Sequence, residues 1–209
     1  MNNIIGIGNF CVWRESDNEK LPDVSFVPPM VRRRMTDSQK IAIGVAHNVV
    51  PNGADYRVIF ASRYGEWGQT IKLIKQFHET AEMSPAGFSN SVHNAAAGAF
   101  SVLTGNKNSY ESIAAGARTI ETGVMAALMS VKPVLFVFAE EKSPEMYDEY
   151  LEKPVMAHGL AFMLYGDASR RLEWKPATNM VAPLTFDAMV NFLENGGEIK
   201  TSSWEMVDK

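Results

Sequence analysis

The sequence predicts an α/β fold, because apolar runs of strand length alternate along the chain with segments of helical periodicity. One run, PVLFVFA at 133–139, is apolar on both of its alternating faces. A strand of that kind belongs inside a sheet covered on both sides, so we expect a central, mainly parallel mixed sheet flanked by helices. No internal repeat or low-complexity tract interrupts the alternation.

Residues 3–8 (NIIGIG) read as the first strand, and 11–29 as a polar, proline-containing excursion ending at Pro28 and Pro29. A helix follows, with Asp37 as its cap and Ile41, Val45, Asn48 and Val49 at helical spacing. RVIFA at 57–61 is short, apolar and bounded by polar sequence, which predicts a buried strand. GEWGQTIKLIKQFHE predicts a helix with Trp67, Ile71, Ile74 and Phe77 or His78 on one face. In 91–103 (SVHNAAAGAFSVL) the small residues Ala95–Gly98 would let a helix approach neighbouring backbone closely, as a buried helix does.

Residues 110–123 (YESIAAGARTIETG) run from a strand-like approach through small residues into a helix, the local shape that presents a nucleophile at a helix N-terminus. The turn holds Gly116 instead. After the apolar strand at 133–139, EEKSPEMYDEYLEK is expected to be a solvated loop with a helical turn, and AHGLAFMLY at 157–165 a further strand. A last helix is expected at 185–194 (TFDAMVNFLE), stopped by Gly196 and Gly197.

Composition excludes several classes. With 20 Lys and Arg against 24 Asp and Glu the net charge is −4, so overall attraction to nucleic acid or to an anionic membrane is not expected. A single cysteine excludes an internal disulfide and any multi-cysteine zinc site. The N-terminus lacks the basic and long apolar regions of a signal peptide, and no run approaches the ~20 apolar residues of a membrane span. A soluble cytoplasmic protein without a membrane span is the expectation.

Individual motifs are weak. Cys11 has no histidine near it in sequence and reads as a small apolar residue. His47, His78, His93 and His158 lack the close spacings of a metal site, and the acidic group from Glu140 to Glu152 lacks the pattern of a calcium loop. GIGNF at 6–10 has no third glycine for a dinucleotide fingerprint. GFSNS at 87–91 ends in Ser91 where a nucleophile elbow needs glycine. The run Arg32, Arg33, Arg34 reads as an exposed helix start that could also receive an acidic protein partner.

The ordered blocks PAGFSNSVHNAAAGAFSVLTG, SIAAGARTIETGVMAAL and PVLFVFAEEKSPEMY resemble the N-terminal half of a β-ketoacyl synthase. More narrowly, they resemble the short ketosynthase-like proteins treated as chain-length-factor subunits in aryl polyene pigment pathways. The resemblance spans residues 1–166 as a pattern of elements and is most specific from Pro85 to Tyr147. It implies a thiolase-like half-domain over 1–166 and a C-terminal extension, 167–209, carrying one helix packed on the same domain. A complete synthase has a second thiolase-type half, which a chain of this length is expected to lack.

In a working ketosynthase the strand and turn matching SIAAGA present a cysteine that accepts the acyl chain. Gly116 holds that place here as a vestigial nucleophile position, and Ala115 and Ala117 are equally unable to attack. The resemblance therefore implies no catalytic residue, no metal and no cofactor. The synthase histidines lie in the second half, so His93 and His158 are not expected in their roles. Residues 109–114 would be the strand that pairs across a two-fold axis, carrying Ser112 and Ile113. Phe88, Asn90, Ser91, Val92 and His93 would sit near the partner's acyl pocket.

The expected function is a non-catalytic subunit forming a heterodimer with a ketosynthase, in elongation of a polyene or fatty-acyl chain on acyl carrier protein, which would be met through the complex. Two alternatives stand beside it. One is an acyl-thioester hydrolase using Ser91 or Ser112 with His93, although residues two apart on a helix do not face one another. The other is a scaffold for a ketosynthase that never meets substrate.

Overall fold

A computed structural model describes residues 3–208, apart from 18, 19, 52, 167, 169 and 179. Its centre is one eight-stranded sheet in the order β3-β2-β4-β5-β1-β6-β8-β7. These strands are β1 Asn3–Arg14, β2 Arg57–Ala61, β3 Tyr110–Ile113, β4 Val134–Glu140, β5 His158–Tyr165, β6 Arg170–Pro176, β7 Glu198–Lys200 and β8 Trp204–Asp208. The helices are α1 Pro29–Arg32, α2 Asp37–His47, α3 Trp67–Thr80, α4 Pro85–Ser89, α5 Ala95–Thr104, α6 Thr119–Leu128 and α7 Phe186–Asn195.

The sheet divides the core into two. Alternate residues of β4 face opposite ways: Leu135, Val137 and Ala139 pack with Ile41, Val45 and Phe100 of α2 and α5. Val134, Phe136 and Phe138 pack with Val124 of α6 and Val190 and Leu193 of α7. All seven residues of β4 are buried, which is why its sequence shows no polar face. The expected mixed sheet flanked by helices is what the chain forms. Its parallel pairings are confined to β2 with β3 and β2 with β4. The other five pairings are antiparallel. Crossover helices separate β2, β3 and β4 along the chain, whereas β4 returns to β5 through a loop with only a short 3-10 turn, and a reversal of that kind gives antiparallel neighbours.

Several local expectations are corrected. β1 continues through Cys11 to Arg14, past the expected polar excursion, because a register shift between Ile7 and Phe10 lets it bend and pair onward with β5. The cap of α2 is Thr36, whose Oγ1 accepts from Gln39 N at 3.1 Å, while Asp37 is the first helical residue and pairs with Lys40. On α3 only Leu73 is buried, and Ile74 and Phe77 of the expected apolar face are exposed, because the helix packs on α4 rather than on the sheet. The segment 167–209, expected as an extension with one helix packed on the same domain, carries that helix as α7 and, among its described residues, also three strands that continue the sheet beyond β1.

Candidate functional site

The parallel strands β3, β2 and β4 end together, and buried Glu66, Thr119 and Glu140 lie at or just beyond their ends. β3 is the outermost strand, paired only with β2 among the described residues. Val58 N donates to Ser109 O and Ser62 N to Ile113 O, so by the alternation of a ladder the backbone groups of Tyr110 and Ser112 point to the free edge.

Gly116 stands in the turn between β3 and α6. Its φ is +57°, and a Cβ built there would meet nothing within 4 Å. The backbone, not crowding, selects glycine at this position. Thr119 closes the turn: its Oγ1 donates to Gly116 O at 2.7 Å and accepts from Ala115 N at 3.0 Å. No side chain able to attack a carbonyl is found at 115–117.

The second group of expected residues lies before α5. Phe88 is 56% exposed and Val92 40%. Asn90 Nδ2 donates to Arg34 O at 3.2 Å, and Ser91 Oγ to Phe88 O at 2.9 Å, so both tie down the turn in which they sit. Ser91 is thereby directed away from His93. Ser112 is not: its Oγ lies 2.7 Å from His93 Nδ1 and also donates to His93 O at 3.0 Å. His93 Nε2 lies 2.8 Å from Ser62 O. Ile113, half-buried beside them on β3, packs against the α6 side of the core.

Sequence reasoning missed the acidic residues near this ring: it placed Glu140 and Glu141 in a solvated loop and Glu66 within a helical segment. Glu140 is the last residue of β4 and is buried; it accepts from Ser62 Oγ at 3.0 Å and from the backbone N–H of Arg63. Burial pushes its carboxyl up to about 7, against the bonds from Arg63 and Ser62 that favour its charge. Glu66 is likewise buried and pushed up to about 7, with the charge of Glu141 adding to the effect of burial. Its Oε2 has no partner among the described residues, and neither do Gln39 Nε2 and Trp67 Nε1. Glu141 is raised by burial as well, while its Oε1 accepts from Gly68 N in the first turn of α3 at 2.8 Å. The available signal was a carboxylate closing the apolar run of β4; nothing local marked Glu66.

His158 lies elsewhere, donating from Nδ1 to Met156 O at 2.7 Å between Phe138 and Phe186, and its burial lowers its pKa.

The match to a known family spans residues 11–195, and its description is β-ketoacyl synthase, N-terminal domain. The chain belongs to that family. By structure it is similar to a chain of the ketosynthase ApeO in complex with its chain length factor ApeC from Xenorhabdus doucetiae. The TM-score is 0.76 at 18% identity, covering 98% of this chain and 99% of that one. It is also similar to the ishigamide ketosynthase/chain length factor, with TM-score 0.61 and 11% identity over 83% of this chain and 68% of that one. A third likeness is to a type II polyketide synthase acyl-carrier protein in complex with its ketosynthase bound to the hexaketide. Its TM-score is 0.60 at 14% identity, over 86% and 71% of the two chains. No curated protein matches the sequence. The ketosynthase-like family and its thiolase-like fold are therefore those of this chain.

Proposed function

We propose that this chain is a ketosynthase-like partner subunit of the chain-length-factor kind, which does not itself condense acyl units. It pairs with a ketosynthase in the elongation of a polyene or fatty-acyl chain held on acyl carrier protein. The observation that carries this reading is Gly116. The strand-turn-helix of the family is intact, yet the turn after β3 holds a glycine at φ +57° with open space above it and no nucleophile on either side. Chemistry then falls to the partner, which supplies the cysteine and histidines.

The free edge of β3 supports pairing with another chain, and the exposed Phe88 and Val92 support a role in walling that chain's acyl pocket. An aryl polyene as the product and the cytoplasm as the location belong to this proposal too. Co-expression with a full ketosynthase tests it. A one-to-one dimer by light scattering, burying well above the ~1,200 Å² of a weak encounter, is expected. A stable monomer that ignores every ketosynthase offered overturns the reading.

A further inference from the structure

The pairing role assigns no chemistry to Ser112 and His93, yet their geometry is that of a nucleophile and its base. The carbonyl oxygen of Ser62 only accepts hydrogen bonds, so His93 Nε2, 2.8 Å away, carries the ring proton. In the neutral ring Nδ1 is then an acceptor 2.7 Å from Ser112 Oγ, whose one proton is shared between this contact and the 3.0 Å bond to His93 O. The ring is held from a further side by Gly65, where a Cβ would fall 2.8 Å from His93 Cδ2. Nucleophile, base and base-orienting group thus stand in hydrogen-bond sequence. A backbone carbonyl takes the orienting place that a carboxylate fills in a serine–histidine–aspartate triad.

Neither Ser112 nor His93 is fully buried. Asn94, the N-cap residue of the ten-residue α5, makes no side-chain bond to that helix, so the positive helix end next to His93 has no side-chain cap. Two side chains in the stretch leading into His93, Phe88 and Val92, are exposed and apolar beside the small exposed Ser89, and none there is charged, which suits an apolar acyl group rather than a charged one.

We infer that Ser112 is an acylatable hydroxyl activated by His93, with acyl thioesters and activated acyl esters of apolar acids as its substrate class. In the first step Ser112 Oγ bonds to the carbonyl carbon and the carbon–sulfur bond breaks. The Oγ proton passes to His93 Nδ1 and then to the departing thiolate. In the second step water adds to the acyl–Ser112 ester, giving its proton to His93 Nδ1. The carbon–Oγ bond breaks, the proton returns to Oγ and a carboxylic acid leaves. This site is independent of the turn at Gly116, so it stands or falls separately from the pairing role.

The test uses the full chain with a fluorophosphonate probe and, separately, p-nitrophenyl butyrate, read by intact mass and peptide mapping. A single adduct on Ser112 is expected, absent in Ser112→Ala and formed about 10²-fold more slowly in His93→Gln. Ser112→Cys in a Cys11→Ala background gives a second reading that keeps the side-chain shape. Iodoacetamide should alkylate that thiol faster with His93 present than with His93→Gln, circular dichroism confirming that each variant is folded. An unmodified folded protein under excess probe, an adduct on another serine such as Ser91, or equal rates with and without His93 overturns the inference.

Discussion

Ser62 Oγ donates to Glu140 Oε2 at 3.0 Å, tying the end of β2 to the end of β4 beneath the ring of His93. The bond leaves Glu140 satisfied but still buried, with its pKa pushed up to about 7 by that burial, as is that of Glu66. An ordinary glutamate titrates near ~4.3. Between that value and about 7 the folded chain therefore holds protons that the unfolded chain has released, and its stability falls as pH rises through this window. His158 works the other way below the ordinary imidazole value, because burial lowers its pKa. Glu121 is buried, but bonds from Ser202, Ser203 and Arg118 outweigh that burial and hold it below the ordinary value, so its contribution is lost only at more acid pH. Urea unfolding at pH 5, 6, 7 and 8 should show the decline, and Glu66→Gln should reduce it without abolishing it, since Glu140 remains. A variant with the same slope as the parent would show that Glu66 is ionised in the fold.

Replacing Gly116 separates backbone from chemistry. Because a Cβ there meets nothing within 4 Å, Gly116→Ala should cost only the left-handed backbone term, about 1–2 kcal/mol, read from denaturant midpoints. A cost near zero would mean that the turn relaxes to another conformation. Gly116→Cys should still catalyse neither condensation nor malonyl decarboxylation by itself, because one member of a coupled catalytic set is insufficient.

Pairing through β3 has a backbone test. Tyr110 directs its N–H to the free edge, so Tyr110→Pro removes a donor that the ladder to β2 does not use. Thermal stability should change little while affinity for a ketosynthase falls by tenfold or more, measured by titration calorimetry. Unaltered affinity would place the interface on another surface.

Product length distinguishes a pocket wall from a scaffold. Val92→Phe adds bulk at a position that is 40% exposed in the isolated chain, and should shorten the acyl product of the reconstituted pair. Phe88→Ala should lengthen it or broaden the distribution. Mass analysis of carrier-bound products decides, and a scaffold would instead lose yield at all lengths together.

Much of the fold was legible locally. RVIFA was read as 57–61 and forms β2 at Arg57–Ala61; the last helix was read as 185–194 and forms Phe186–Asn195. Run length, apolar pattern and terminating glycines lie within a few contiguous residues, which makes such elements readable. The candidate site was legible only in part. The turn at Gly116 and the strand before it followed from the blocks around them, whereas Ser62, Glu66 and Glu140 did not, because a polar residue at a strand end looks the same whether water or protein covers it.

By itself the sequence determined the alternation of strands and helices, the doubly covered strand β4 and a turn without a nucleophile, all properties of short contiguous segments. Only the tertiary structure decided which strands run antiparallel, that Ile74 and Phe77 of α3 lie exposed, and that Ser112 meets His93 from 19 residues away. Those outcomes depend on the order in which β3, β2 and β4 assemble and on which helix covers which face. Such pairings join residues distant in the chain, and no local periodicity carries them.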